Sequence, residues 1–289
     1  MQILEQEPMS RHTTFRVGGP ARFFLIPETE EEVAGAIAES KRRGLPFTVV
    51  GRGSNLLVSD AGYDGAVILI GDALAKTQVC GTTVRAQAGV TLAALAAYAC
   101  RLSLTGLEFA AGIPGSLGGA LLMNAGAYGG EMKDVVRSVR LMDPDGTVHE
   151  EDVSWMEYGY RSSRAQSEGC IILGAELELK PGDPSVIREA MQDLAERRRS
   201  KQPLEYPSAG SFFKRPKGYF AGALIEQAGL KGFSAGGAQV SEKHAGFVIN
   251  TGGATAADIT ALQKEVVRRV QERFGVTLEP EVRRLGEFE

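Results

Sequence analysis

The sequence predicts an α+β protein of more than one domain, and three observations carry that prediction. The chain has 289 residues, more than one small core needs, so two domains are expected and three are compatible with the length. Strand-like and helix-like patterns alternate along it and close in a compact C-terminal α/β unit. In the middle lies Ala111–Gly130, AGIPGSLGGALLMNAGAYGG, where seven of twenty residues are glycine and none is charged, although 24% of the chain is Asp, Glu, Lys or Arg. Such a run fits neither a helix face nor a sheet. Its backbone can reach φ > 0 and lie against a flat or anionic group with N–H groups turned toward it. A flexible linker would be rich in Ser and charge. Here Ile113, Pro114, Leu117, Leu121, Leu122 and Met123 interleave with the glycines, so the run reads as a buried cradle for a large cofactor. The glycines, Pro114 and Asn124 interrupt it too often for a membrane span.

The elements follow in order. From Thr29 to Arg43 an acidic first turn, apolar Val33, Ala36 and Ile37, and Gly44 just beyond spell a surface helix. Pro46–Val50 is a short apolar strand, and Ala66–Ile70 and Thr83–Ala88 are further strands. Thr91 caps an apolar helix through Leu92, Leu95, Ala99 and Leu102. Val135–Met142 and the stretch from Thr147 flank Asp143-Pro144-Asp145-Gly146, a hairpin turn, and Cys170–Leu179 is one more strand. Asp183 and Pro184 open a helix that ends in Arg197-Arg198-Arg199-Ser200-Lys201, and a domain boundary belongs near Gln202. Beyond it come a helix Phe220–Ala228 closed by Gly229, a strand Phe247–Asn250 and a long helix. The long helix opens with the capping box Thr255–Asp258 and turns Ile259, Leu262, Val266, Val270 and Phe274 inward. Glu281 is expected to begin a last strand after Pro280.

Composition narrows the function. A net charge of −4 with 43% hydrophobic residues describes an ordinary globular protein without a field for nucleic acid or acidic membranes, so any anionic ligand is held locally. The opening MQILEQEPMSRHTTF lacks a basic stretch and an apolar core, so no secretory signal is expected, and a cytoplasmic location is. Cys80, Cys100 and Cys170 are odd in number and widely spaced, which fits small buried side chains in a reducing compartment. No metal site is expected.

Two further segments carry chemistry. Gly51-Arg52-Gly53-Ser54-Asn55 follows a strand as a phosphate cradle would, but it is neither a Rossmann fingerprint nor a Walker loop; alone it suits a tight turn equally well. Pro207–Pro216 presents Ser211 between Gly210 and two aromatics, with Lys214 and Arg215 following. A serine hydroxyl needs partners to do chemistry, and His12, His149 and His244 suggest no triad. A turn serine is the plain alternative.

Together, Thr14–Gly19, Gly51–Leu57, the glycine-rich run, Tyr160-Arg161-Ser162-Ser163, Lys201 with Pro203, GSFFKRP and LEPEVR resemble the UDP-N-acetylenolpyruvoylglucosamine reductases, the MurB flavoenzymes of peptidoglycan precursor synthesis. The resemblance runs in order over nearly the whole chain. It implies a flavin-binding portion of the vanillyl-alcohol-oxidase-like (PCMH) type in two subdomains, residues 1–70 and 71–200. A C-terminal α/β substrate domain, residues 201–289, completes it, with 278–285 returning to the active site. It also implies dissociable FAD, NADPH as hydride donor and UDP-N-acetylglucosamine enolpyruvate as substrate.

By the same resemblance, Arg161, Ser211 and Glu281 are the catalytic residues and gather around one isoalloxazine ring. Arg161 and a protonated Glu281 hold the substrate carboxylate while Ser211 donates a proton. Hydride addition leaves electron density on the carboxylate-bearing carbon, which something must stabilise and something must protonate. Gly51, Arg52, Gly53, Ser54 and Asn55 are expected at the FAD pyrophosphate; Gly112, Ile113, Pro114, Gly115, Ser116, Gly118, Gly119 and Asn124 at the rest of the cofactor. Lys201, Lys214, Arg215 and Arg283 are expected at the sugar nucleotide. The short segment between Arg161 and Lys201 resembles the subtype without a tyrosine lid, and Gln239 or His244 are candidates to replace it. An oxidase of the same fold and a non-catalytic UDP-sugar-binding protein are the alternative readings.

Overall fold

The structure, a computed structural model, describes residues 1–288. The chain forms two compact units. The first contains Met1–Leu4, Phe24–Arg52 and Gly65–Arg198; the second contains Glu5–Phe23, Gly53–Asp64 and the described residues from Arg199 onward.

In the first unit, helix Glu30–Arg42 starts where Thr29 accepts a hydrogen bond from the Glu32 amide, and it buries Val33, Ala36 and Ile37. Strand Phe47–Val50 pairs in parallel with Tyr63–Leu69, Val50 opposite Leu69. Both belong to a four-stranded sheet whose other members are Gln2–Pro8 and Pro20–Ile26. A five-stranded antiparallel sheet follows, in the order Val148–Asp152, Val136–Met142, Ile171–Glu178, Thr83–Gln87, Thr77–Cys80. Helix Leu92–Arg101 is capped by Thr91, and the Asp143–Gly146 turn closes with a hydrogen bond from the Asp143 amide to Thr147. The glycine-rich run supplies the short helix Leu117–Leu122, anchored by amide bonds from Leu117 to Val90 and Gly118 to Ala88.

The second unit is built on a sheet ordered Ser208–Ser211, Phe247–Asn250, Ala238–Val240, Ser234–Ala235. Helices Ala221–Gln227 and Ala256–Phe274 pack on its core of Phe212, Phe213, Leu224, Ile225, Leu230, Val248, Ile259, Leu262, Val266 and Val270. The capping box is formed as expected, with Thr255 and Asp258 bonding each other's amides.

The division differs from the expected 1–70 subdomain, because two early segments fold with the C-terminal part. Leu56–Val58 pairs in parallel with Arg283–Leu285, Phe15, Val17 and Leu57 join the second core, and Asp60 accepts from the Ala256 and Ala257 amides at the long helix's start. These contacts span more than 190 positions, which no local pattern encodes. The edge strands Gln2–Pro8 and Thr77–Cys80 also went unforeseen, since QILEQEP and TQVC carry little apolar alternation. Glu281 does not open a strand, which starts two positions later at Arg283. Cys80 is exposed rather than buried, while Cys100 and Cys170 are buried; all three are free.

Candidate functional site

In the first unit Gly51 meets the glycine-rich run. Strand Phe47–Val50 delivers Gly51 against Ser116, the N-cap of the Leu117–Leu122 helix, where a Cβ at Gly51 would overlap the Ser116 hydroxyl. Glycine permits that approach with the hydroxyl where it is. Gly112 lies against Arg198, whose Cδ would sit 3.2 Å from a Cβ there, whereas a Cβ at Gly119 would meet nothing within 4 Å. Arg52 is exposed, 3.8 Å from Asp72.

Arg198 is half-buried, and burial lowers its pKa from the ordinary arginine range. Among the described residues no carboxylate lies within ion-pair distance of it. A desolvated guanidinium without an anion is costly unless a ligand supplies the charge. The sequence marked the basic run but not which of its members turns inward; helical spacing from Ile187 through Met191 and Leu194 was the available signal.

Arg161 follows Tyr158 and Gly159 in a loop packed on the glycine-rich run. Its Nη2 donates to the Gly126 carbonyl at 3.2 Å, and its guanidinium lies 5.2 Å from the Tyr160 ring centroid. Four non-glycine residues in these two segments, Asn124, Tyr128, Glu157 and Arg161, have positive φ, between 43° and 54°. Such backbone is costly and is held by its surroundings. The Tyr158 hydroxyl is buried without a hydrogen-bond partner, and burial pushes its pKa up, so it remains a proton-bearing donor. Asn124 is buried with its amide spent inside the protein, on Glu131, Gly159 and the Lys133 amide; its side chain is a tie rather than a free cofactor contact.

In the second unit Gly53 has φ +60°, and a Cβ there would overlap the His12 carbonyl. Ser54 follows it, and Asn55 is also internally engaged, donating to the Glu281 carbonyl at 3.1 Å and accepting from the Arg283 amide. Ser211 ends its strand exposed, after Gly210 at φ +75°. The next residues run antiparallel to the returning segment: Glu281 N donates to Phe212 O and Lys214 N to Glu279 O, both at 2.8 Å, with Phe213 bridged to Pro280. Ser211 is therefore one residue from the bond that holds Glu281. Phe212 and Phe213 face the core, which forces their neighbours outward.

Of the expected substrate residues, Arg283 is half-buried with its pKa lowered by burial, and no acidic side chain pairs with it among the described residues. Lys214 is exposed and paired with Glu279 at 3.3 Å, Arg215 lies 4.7 Å from the Phe220 ring centroid, and Lys201 is exposed at a helix end. Gln239 donates within its own hairpin, to the Gly232 carbonyl and the Ser234 hydroxyl. His244 accepts from the Gly246 amide at 3.1 Å and packs edge-on against Phe247; burial, the leading influence, lowers its pKa, so it is a neutral ring. No group of three His, Cys, Asp or Glu able to hold a metal occurs among the described residues, and none of their helices is long and apolar enough to cross a membrane.

Residues 21–152 match a family model described as an FAD binding domain, and residues 202–285 match the C-terminal domain of UDP-N-acetylenolpyruvoylglucosamine reductase. The chain is 51% identical over 285 residues to the UDP-N-acetylenolpyruvoylglucosamine reductases of Alkaliphilus oremlandii and Clostridioides difficile, covering 99% of itself and 94% of each. It superimposes on the crystal structure of the Thermus caldophilus reductase with a TM-score of 0.84 at 37% identity, covering 99% of this chain and 98% of that one. With an FAD-binding module, a matching C-terminal domain and relatives matched over nearly their whole length, the chain belongs to the UDP-N-acetylenolpyruvoylglucosamine reductase family.

Proposed function

We propose that this protein reduces UDP-N-acetylglucosamine enolpyruvate to UDP-N-acetylmuramate with NADPH, as an FAD-dependent oxidoreductase of peptidoglycan synthesis. The observation that carries the reading is the antiparallel run of 212–214 against 279–281, which sets a serine hydroxyl and a carboxyl on adjacent segments of one unit. The residues present suit FAD: a glycine pressed on Ser116, open space at Gly119, and the unpaired Arg198 guanidinium at Gly112. Gly51–Asn55, Gly112–Gly119 and Arg198 would hold it. When bound, FAD supplies two-electron carriage of hydride from NADPH to the vinyl carbon of the substrate.

The chain's own residues do the rest. Ser211 gives its proton to the carbon bearing the carboxylate, and Arg161 and Glu281 hold that carboxylate as charge builds on it. Arg283 and Arg215 offer guanidinium forks to the diphosphate, assisted by Lys201 and by Lys214 once it leaves Glu279. The reading places the protein in the cytoplasm, where free cysteines persist, and in cell-wall assembly, with its consequences for cell shape and division.

An anaerobic two-step experiment tests it. NADPH should bleach the yellow protein, and UDP-N-acetylglucosamine enolpyruvate should restore the colour. A colourless preparation that takes up no FAD, or colour restored only by oxygen, would overturn it.

A further inference from the structure

We infer that Glu131, at the end of the glycine-rich run, is a positioning residue for Arg161, acting through Asn124. The proposal rests on the reading of Arg161 given above.

All of the geometry lies within the first unit. The Glu131 carboxylate accepts from Asn124 Nδ2 at 2.8 Å, from Lys133 Nζ at 2.8 Å and from the Asp134 amide. The hydrogen bond from Lys133, then that from Asn124, outweigh desolvation and hold its pKa below the ordinary carboxylate range, with a further contribution from the Arg161 charge. It is therefore an anion throughout the working pH range. Asn124 is 1% exposed, and Glu131 fixes which way its amide faces. The oxygen then accepts from the Lys133 amide at 3.1 Å, and the nitrogen also donates to the Gly159 carbonyl at 3.2 Å, two residues before Arg161. Arg161 itself donates to Gly126, which pairs with Glu131 across a short antiparallel ladder. One carboxylate thus ties together both ends of the support under the guanidinium. The positive φ values at Asn124 and Arg161 are what such ties must hold in place.

This predicts a selective defect. NADPH bleaching of the flavin does not use Arg161, whereas restoration of colour by the enolpyruvate substrate does. In Glu131→Ala, restoration should slow about 10- to 100-fold, the range a small misplacement of a charged group produces, with bleaching within about twofold of the parent. Glu131→Gln, which keeps an oxygen to accept from Asn124, should recover most of the rate. Asn124→Asp, which removes the donor to Glu131 and Gly159, should repeat the defect and serves if Glu131→Ala does not fold. The double variant Glu131→Ala/Arg161→Ala should restore colour no more slowly than Arg161→Ala alone, because both substitutions remove one function.

Equal loss of both half-reactions, or losses that multiply in the double variant, would overturn the proposal. So would an unchanged Glu131→Ala beside a crippled Arg161→Ala. If Arg161→Ala itself restores colour at the parent rate, the role of Arg161 falls, and that of Glu131 with it.

Discussion

At Ser211 the assigned chemistry needs a hydroxyl and nothing else that alanine lacks, so the position separates proton donation from binding. Ser211→Ala should leave NADPH bleaching intact and slow colour restoration roughly 100-fold or more, the usual share of a general acid, as read by anaerobic stopped-flow absorbance. A second residue-scale prediction concerns His149, whose ring lies 3.0 Å from Asp143 and 3.2 Å from Glu151. Burial works against charging the ring, but the hydrogen bonds and charges of those two carboxylates outweigh it and raise its pKa. A group with a raised folded-state pKa adds stability below its ordinary value, near 6.5, and that contribution is lost as pH rises through the folded value. His149→Gln should therefore lower Tm by roughly 1–3 °C at pH 5.5 and hardly at all at pH 9, the size expected of a half-exposed ion cluster. Equal shifts at both pH values would mean that packing against Trp155, not charge, is what the ring provides.

At the scale of elements, local rules explain where segments begin and contacts explain why they matter. Thr255 and Asp258 start the long helix by satisfying each other's amides, and Thr255→Ala should cost about 1 kcal/mol, measurable as a shift in urea midpoint with unchanged slope. Gly51 tests the cofactor reading at the same scale. A methyl group there would overlap the Ser116 hydroxyl, so Gly51→Ala must turn that hydroxyl aside or shift the turn from the Leu117–Leu122 helix. We expect FAD retention on gel filtration to fall by tenfold or more while the five-stranded sheet keeps its far-UV signal. The paired aromatics show the reverse case. Phe212 and Phe213 follow Ser211 directly, yet their near-complete burial makes them core, so Phe212→Ala should cost roughly 3–5 kcal/mol.

For the whole molecule, the division into units makes neighbours in sequence belong to different cooperative bodies. Residues 53–64 fold with the C-terminal part, held by Asp60 at the long helix and by the Leu56–Val58 ladder, while 65–69 fold with the first unit. Hydrogen exchange should show peptides from 54–60 sharing the protection and denaturant response of the Ala256–Phe274 helix, with peptides from 65–70 following Phe47–Val50 instead. A single common opening for 47–70 would contradict that division.

Much of the candidate site was legible without coordinates. Glycine spacing marked the two segments expected at the cofactor as places of close backbone approach, and helix caps, the Asp143–Gly146 turn and the long amphipathic helix followed from local chemistry. What sequence could not show were facts set by distant partners. The side-chain amides of Asn55 and Asn124 donate inside the protein, to Glu281, Glu131 and Gly159; Arg198 is the inward member of a basic run; Glu131 holds Asn124 from the end of the glycine-rich run. The sequence by itself determined the kinds of element, the family and the residues able to do the chemistry, because those depend on steric freedom, periodicity and functional groups carried in the chain. Only the tertiary structure decided which polar groups are already satisfied, which charges stand unpaired and which early strand closes on the last one. Those are outcomes of burial and pairing across hundreds of residues, where desolvation rather than local preference selects the partner.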